Sequence, residues 1–406
     1  MKICEVKTIK SAFIDGDDIW LLDDGYCALF KYNLIDDAVS FMDFFPKDVE
    51  YAGAFREIQK AGNEIFFFPD WADDVYVYNL VQKKYIKLNI PYDGLPEVRE
   101  RKRRTTQAVR VGDFFYAVHH QPCTLIKIDI FSKKFKVYDL TLHVGKYAEI
   151  DEVPYIGYFS IDADEQVLKF PYGANTIVSF NLSSEEYRIV EIDGMTADIL
   201  CEDPFIPEYV EGCKKIGDES WLFFSRDGQI LCTRGGYLRS YIVPHFEESH
   251  KFFLEPCYWM IADIIHNDEK LYVFCVYDSS VYIVDLKTCS VEKIDNPYID
   301  KSEERQYYNR AMFLDNKRIM FWGFTAEPVF ILNLNTKEIQ EKRLRFTKNT
   351  FADKKAFCKI AKRVVLYSDD LMGLIDIVNN KFQFDSIEKD KSVNRVDIGA
   401  MIYGSL

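Results

Sequence analysis

Residues 281–294 read VYIVDLKTCSVEKI, and this phrase constrains the fold more than any other feature of the chain. An apolar run ends at Asp285-Leu286, a polar turn follows at Lys287-Thr288, and a second run reaches Ile294. That is a β-hairpin written in sequence. Its anchor, Asn or Asp followed by Leu or Ile, recurs at Asn33-Leu34, Asn79-Leu80, Asp129-Ile130, Asn181-Leu182, Asn333-Leu334 and Asp376-Ile377. The copies lie 43 to 52 residues apart, except for one gap of 104, which holds a drifted copy near Gly235-Gly236. A fixed period of this size marks a repeat architecture.

A second anchor agrees with the first. A Gly, Asn or Asp turn precedes another apolar run in each unit, as at Gly16-Asp17 before Ile19, Gly62-Asn63 before Ile65 and Gly112-Asp113 before Phe114. Such residues tolerate the backbone of tight hairpins. A shorter strand lies just upstream, with its cleanest copies at Ser11-Ala12-Phe13, Gln107-Ala108-Val109, Arg310-Ala311-Met312 and Lys355-Ala356-Phe357. Each unit therefore holds four antiparallel strands. Runs such as Ile65-Phe66-Phe67-Phe68 do not alternate, as expected of a sheet packed on both faces. The expected fold is all-β: a β-propeller of eight four-stranded blades, or of seven as the alternative. Residues 1–406 form one domain in this reading, a ring closed by the N- and C-terminal strands, with the first strand of each unit innermost.

The VYIVDL run with its polar turn resembles the hairpins of YVTN and quinoprotein-like propellers, and more weakly those of kelch and WD repeats. The resemblance spans nearly the whole chain but rests on generic motifs. The kelch double glycine is missing from the blades and the WD dipeptide is absent. Ser225-Arg226-Asp227-Gly228 looks like a fragment of a sialidase Asp box without its closing aromatic. The resemblance implies a propeller fold and carries no site residue over.

Composition narrows the function classes. The formal net charge of −14 argues against general nucleic-acid binding, because phosphates are repelled. Ten cysteines without framework spacing are expected to be free thiols in a reducing compartment. There is no transmembrane run and no sequence resembling a signal peptide, so a cytoplasmic location without membrane attachment is expected.

The connections entering each first strand and those leaving each second strand share one face, and that face is expected to hold the site. Its candidate ligand-binding residues are Trp71, His119, His120, Tyr155, Arg226 and Arg310. Trp71 sits among acids in PDWADD, which suits stacking on a sugar or peptide, or packing onto the next blade. His119-His120 suits a polar pocket lining or an ordinary loop; adjacent side chains on extended backbone diverge, so a shared metal is not expected. Tyr155 and Arg310 start first strands and are placed at the mouth of the axial channel. The basic run Arg99 to Arg104 is a solvated loop or a clamp for an anionic group. HFEESH around His245 and His250 lacks the HExxH spacing, and Tyr307-Tyr308 and Trp259 read as core more readily than as ligand contacts.

No nucleophile elbow, P-loop or dinucleotide motif occurs, and no cofactor or metal is expected. The expected function is a non-catalytic binding scaffold holding a peptide, a protein partner or a glycan. The alternative is an enzyme, a lyase or glycan-processing hydrolase, with a polar site at the channel mouth.

Overall fold

A computed structural model describes residues 5–6, 8–91, 105–119, 124–140, 149–150, 153–154, 162–173, 176–191, 210–217, 220–225, 229–234, 237–242, 261–267, 269–275, 279–288, 290–299, 308, 310–323, 329–347, 349–352, 356 and 359–360. Apart from a two-stranded hairpin of Glu149–Ile150 with Val153–Pro154, the described strands form four-stranded antiparallel sheets whose spatial order follows the chain. These blades cover residues 9–44, 55–88, 105–139, 162–191, 210–242, 261–294 and 310–342. In the fourth, the first strand is cut to Asp162–Ala163. The other six are complete, with four strands of at least four residues each.

The expected count of eight blades, or seven, is thereby corrected to six complete blades and one curtailed sheet among the described residues. The eighth unit was to begin with a strand at Lys355–Phe357, but Ala356, Lys359 and Ile360 are helical. Ala356 and Ile360 are both buried at i, i+4 spacing, which serves one face of a helix and not a strand. The drifted copy falls where it was expected: Gln229–Arg234 pairs with Tyr237–Ile242, and Arg234 faces Tyr237 across a two-residue connection.

The chain divides into two compact units: 1–52, 326–329 and 341–406 in unit 1, and 53–325 with 330–340 in unit 2. In unit 1, Phe346 and Phe351 pack on blade 1 through Phe30 and Phe41, with ring centroids 5.3 and 5.7 Å apart. The N-H of Val6 donates to the carbonyl of Leu344, and Glu5 bridges to Arg345.

In unit 2, side chains of the second strands alternate between neighbours. Leu271, Val273 and Cys275 join a cluster with Leu222, Phe224 and Ile230 of blade 5. Tyr272 and Phe274 join Ile319, Phe321 and Phe330 of blade 7 instead. Phe66 and Phe68 likewise pack on Phe115 of blade 3, at 4.8 and 5.5 Å. Both faces of such a strand are therefore buried, which explains the unbroken apolar runs. Each ring pair adds about 0.5–1.5 kcal/mol beyond its buried area.

The two sequence anchors prove to be one device. Asn79 accepts the N-H groups of Val81 and Gln82 on its side-chain oxygen, closing the third-to-fourth-strand turn. Asn33, Asp129, Asn181, Asp285 and Asn333 do the same in their blades. The following Leu or Ile then donates its N-H to the first-to-second-strand turn: Leu80 to Asn63, Ile130 to Asp113, Leu286 to Glu269 and Leu334 to Lys317.

Three residues beyond that Leu or Ile, the chain enters the left-handed region at a charged residue. These are Asp37, Lys83, Lys133, Glu185 and Lys337, at φ between 51° and 60°. In unit 2 three of them clasp the preceding blade. Lys133 reaches Glu64, Glu185 reaches Lys127 at 2.7 Å and Lys136, and Lys337 reaches Glu292. Glycine adopts this backbone more readily, but it has no side chain to make the clasp. No helix among the described residues is long and apolar enough to cross a membrane.

Candidate functional site

The first strands of unit 2 lie against one another and bring charged groups together. Several open with a β-bulge, between Phe55 and Glu57, Val210 and Gly212, and Ile261 and Asp263. Beyond it, Glu57 pairs with Phe68, Gly212 with Phe224 and Asp263 with Phe274, while Arg310 pairs with Trp322. Each of these partners is the fifth residue of its second strand. Glu57, Gly212, Asp263 and Arg310 are thus equivalent positions in blades 2, 5, 6 and 7. A bulge re-aims the side chain that follows it. At Gly212 the ring of Phe224 takes that space, and a Cβ would come within 2.1 Å of it.

The charges compensate one another. Arg310 Nη2 lies 3.1 Å from Glu57 Oε2, and Gln59 Nε2 donates to Glu57 Oε1 at 3.1 Å. Both partners of the ion pair are largely buried. Burial pushes the Glu57 carboxyl above its ordinary range, and the cations Arg310, Arg56 and Lys214 pull it back. Lys214 Nζ stands 3.8 Å from Asp263 Oδ1. Asp263 Oδ2 in turn accepts the N-H of Ala311 in the next blade, at 3.1 Å.

The same kind of tie recurs between other first strands. Asp162 accepts the N-H of Lys215 at 2.8 Å, and Gln59 donates to the carbonyl of Ala108 at 3.3 Å. Lys215 also pairs with Asp164 and lies 5.3 Å from the centre of the Trp221 ring, while Lys169 stands 4.3 Å from that ring. Burial lowers the affinity of Lys169 and of His266 for their protons. The result is a rigid frame in which side chains of one blade hold the backbone or charge of another.

Of the sequence-predicted residues, Arg310 belongs to this frame. Trp71 is at the same end of its blade, just past the second strand of blade 2. It is half-buried, and its backbone N-H donates to the carbonyl of Gly53 at 2.9 Å. A Cβ on Gly53 would sit 2.6 Å from Trp71 Cδ1, so the indole packs directly on that glycine. His119 is buried at the end of the second strand of blade 3, opposite Thr124. Tyr308 is fully buried; its hydroxyl donates to the carbonyl of Ser279 and accepts from Asn296. His120, Tyr155, Arg226, the run Arg99 to Arg104, His245, His250 and Trp259 lie outside the described residues.

Sequence reading missed Glu57, Asp263 and Lys214. A signal for the first two was present: each stands five residues before Gly62 or Asp268 of its turn, the offset that separates Arg310 from Asp315.

This arrangement of blades defines the chain as a β-propeller. No family model matches it, and no curated protein is similar enough in sequence to match. Solved propellers match in fold. YCF48 from Cyanidioschyzon merolae is 10% identical, with a TM-score of 0.55, over 83% of this chain and 98% of that one. YCF48 has also been solved bound to D1 peptide, matching at 9% identity and a TM-score of 0.54 over 82% and 94%. The propeller domain of Cps50 (Swd1) from Myceliophteria thermophila is 8% identical, with a TM-score of 0.54, over 80% and 96%. Sqt1 from Saccharomyces cerevisiae is 10% identical, with a TM-score of 0.53, over 85% and 87%. At these identities the likeness concerns the fold alone.

Proposed function

We propose that this propeller is a non-catalytic binding scaffold that holds a peptide or protein partner at the end of unit 2 where the first strands begin. The observation that supports this reading is the pairing of Glu57 with Arg310 and of Lys214 with Asp263. Charged groups so placed are spent on one another. They hold the first strands in fixed relation and leave the connections around them to make contacts. The side chains of Arg310 and Lys214 are still 15% exposed, so a polar partner can reach both. That YCF48, of similar fold, binds D1 peptide is in keeping with a peptide ligand.

The test is selection from a random peptide display library against the folded chain, followed by photo-cross-linking of the strongest binder. Cross-links should fall near Trp71, Lys214 and Arg310. Cross-links confined to the opposite turns, or chemical turnover of the bound molecule, would overturn the proposal.

A further inference from the structure

The turns between third and fourth strands carry an anomaly that the frame does not explain. The residue two beyond each Asn or Asp anchor is exposed in every described blade that carries the anchor. In blades 4, 6 and 7 it is polar: Ser183, Lys287 and Asn335. In blades 2 and 3 of unit 2 it is Val81, 73% exposed, and Phe131, 74% exposed. The turn itself does not ask for an apolar side chain. What it uses is the N-H, which donates to the anchor oxygen from Val81 and Phe131 just as it does from Ser183, Lys287 and Asn335. Two large apolar groups therefore face water at positions where polar ones serve equally well.

A bonded path joins the two tips. Lys133, in the turn of Phe131, clasps Glu64 of blade 2, and its ammonium stands 4.5 Å from the centre of the Phe66 ring. Glu64 follows Asn63, whose carbonyl accepts the N-H of Leu80, the neighbour of Val81. Charge gathers at the same place. Lys83 and Lys84 follow Val81, Lys134 follows Phe131, and Arg110 stands at the adjoining turn of blade 3; all four are exposed. Blade 1 offers a contrast in unit 1: its tip, Ile35, is followed by Asp36 and Asp37.

We propose that the turn end of blades 2 and 3 docks on an anionic lipid surface. Val81 and Phe131 enter the interface, and Lys83, Lys84, Lys134 and Arg110 lie against the headgroups. Apolar tips on projecting turns suit a soft layer that receives each side chain separately; a peptide is usually taken by a concave groove. The basic group is local on a chain of net charge −14, so it gives the contact a direction. The absence of a transmembrane run says nothing against such peripheral contact. The proposed surface lies at the opposite end of the blades from the Glu57–Arg310 frame and does not depend on the peptide-binding reading.

The experiment is co-sedimentation of the full chain with phosphatidylcholine vesicles, with and without about 30 mol % phosphatidylserine. The chain should sediment with the anionic vesicles and not with the neutral ones, and added salt should weaken binding. Val81→Asp with Phe131→Asp, and separately Lys83→Glu with Lys84→Glu and Lys134→Glu, should each lower partitioning by about tenfold or more. Ser183→Asp with Asn335→Asp should leave it unchanged. Phe131→Ser, which installs the residue type blade 4 already carries, guards against misfolding, and circular dichroism should match wild type throughout. No sedimentation with anionic vesicles, or tip and lysine variants that bind as well as wild type, overturns the proposal. So does cross-linking from position 131 to an acidic protein in a chain that ignores vesicles.

Discussion

Arg310 and Glu57 lie 253 positions apart in the chain, yet the guanidinium of one stands 3.1 Å from the carboxylate of the other. Both are on first strands of unit 2, at the same offset from their turns. The pair closes a link between blade 2 and blade 7 that no local feature of the chain could impose.

Removing one partner of this pair should be costly. Arg310→Met leaves the Glu57 carboxylate buried without its main counter-charge, and a loss of about 3–5 kcal/mol is expected. Arg310→Met combined with Glu57→Leu should cost much less, because no orphaned charge remains. Urea midpoints of the single and double variants check this, and equal losses would show that the pairing itself is not what matters.

A second expectation concerns acid. Hydrogen bonds from Lys127 and Lys136 draw the Glu185 carboxyl down from an ordinary 4.5 to about 2. Its folded form thus holds a proton less readily than its unfolded form, so its contribution is complete above about pH 4.5 and drains as pH falls toward 2. Glu185→Gln should be less stable than wild type at neutral pH, and the gap should close in acid. Thermal melts across that window measure it; a gap that is constant with pH counts against the clasp.

Gly53 should resist substitution. Its φ is +79°, and Trp71 occupies the space a Cβ would need. Gly53→Ala should cost about 1–3 kcal/mol, from left-handed strain and the clash together. Adding Trp71→Ala should return part of the clash and none of the strain. A double-mutant cycle separates the two, and full additivity would place Trp71 elsewhere.

The anchor residues should be exchangeable within their chemistry. Asn79→Ala removes two turn hydrogen bonds and should cost about 1 kcal/mol. Asn79→Asp should stay near wild type, since Asp129 and Asp285 make the same bonds and the turn N-H groups hold their carboxyls below the usual range. Comparing denaturation midpoints of the two variants decides the matter.

Buried thiols should be silent in the native state. Cys27, Cys213 and Cys275 form no disulfide and are buried, and burial pushes the Cys213 thiol well up. Under a thiol-specific chromogenic reagent these three should react only after unfolding, which mass mapping of labelled peptides would show.

The repeat was legible because its anchors are local chemistry. Asn79 reaches N-H groups two and three residues away, so the turn is specified within a few positions wherever it occurs. Non-alternating runs such as Ile65–Phe68 were equally readable, since burial on both faces leaves its mark on every residue. Blade number was not readable at the C-terminal end. The apolar spacing of Ala356 and Ile360 suits a helix as well as the repeat suits a strand, and packing decided between them. Nor could the sequence show that Arg310 is spent on Glu57, that His119 is buried, or that Trp71 sits on Gly53. Each of those facts depends on which distant strand lies alongside. Local hydrogen bonding fixed the turns and strands; which charges meet was decided only when the blades packed, because a Coulomb partner is chosen by distance in space and not along the chain.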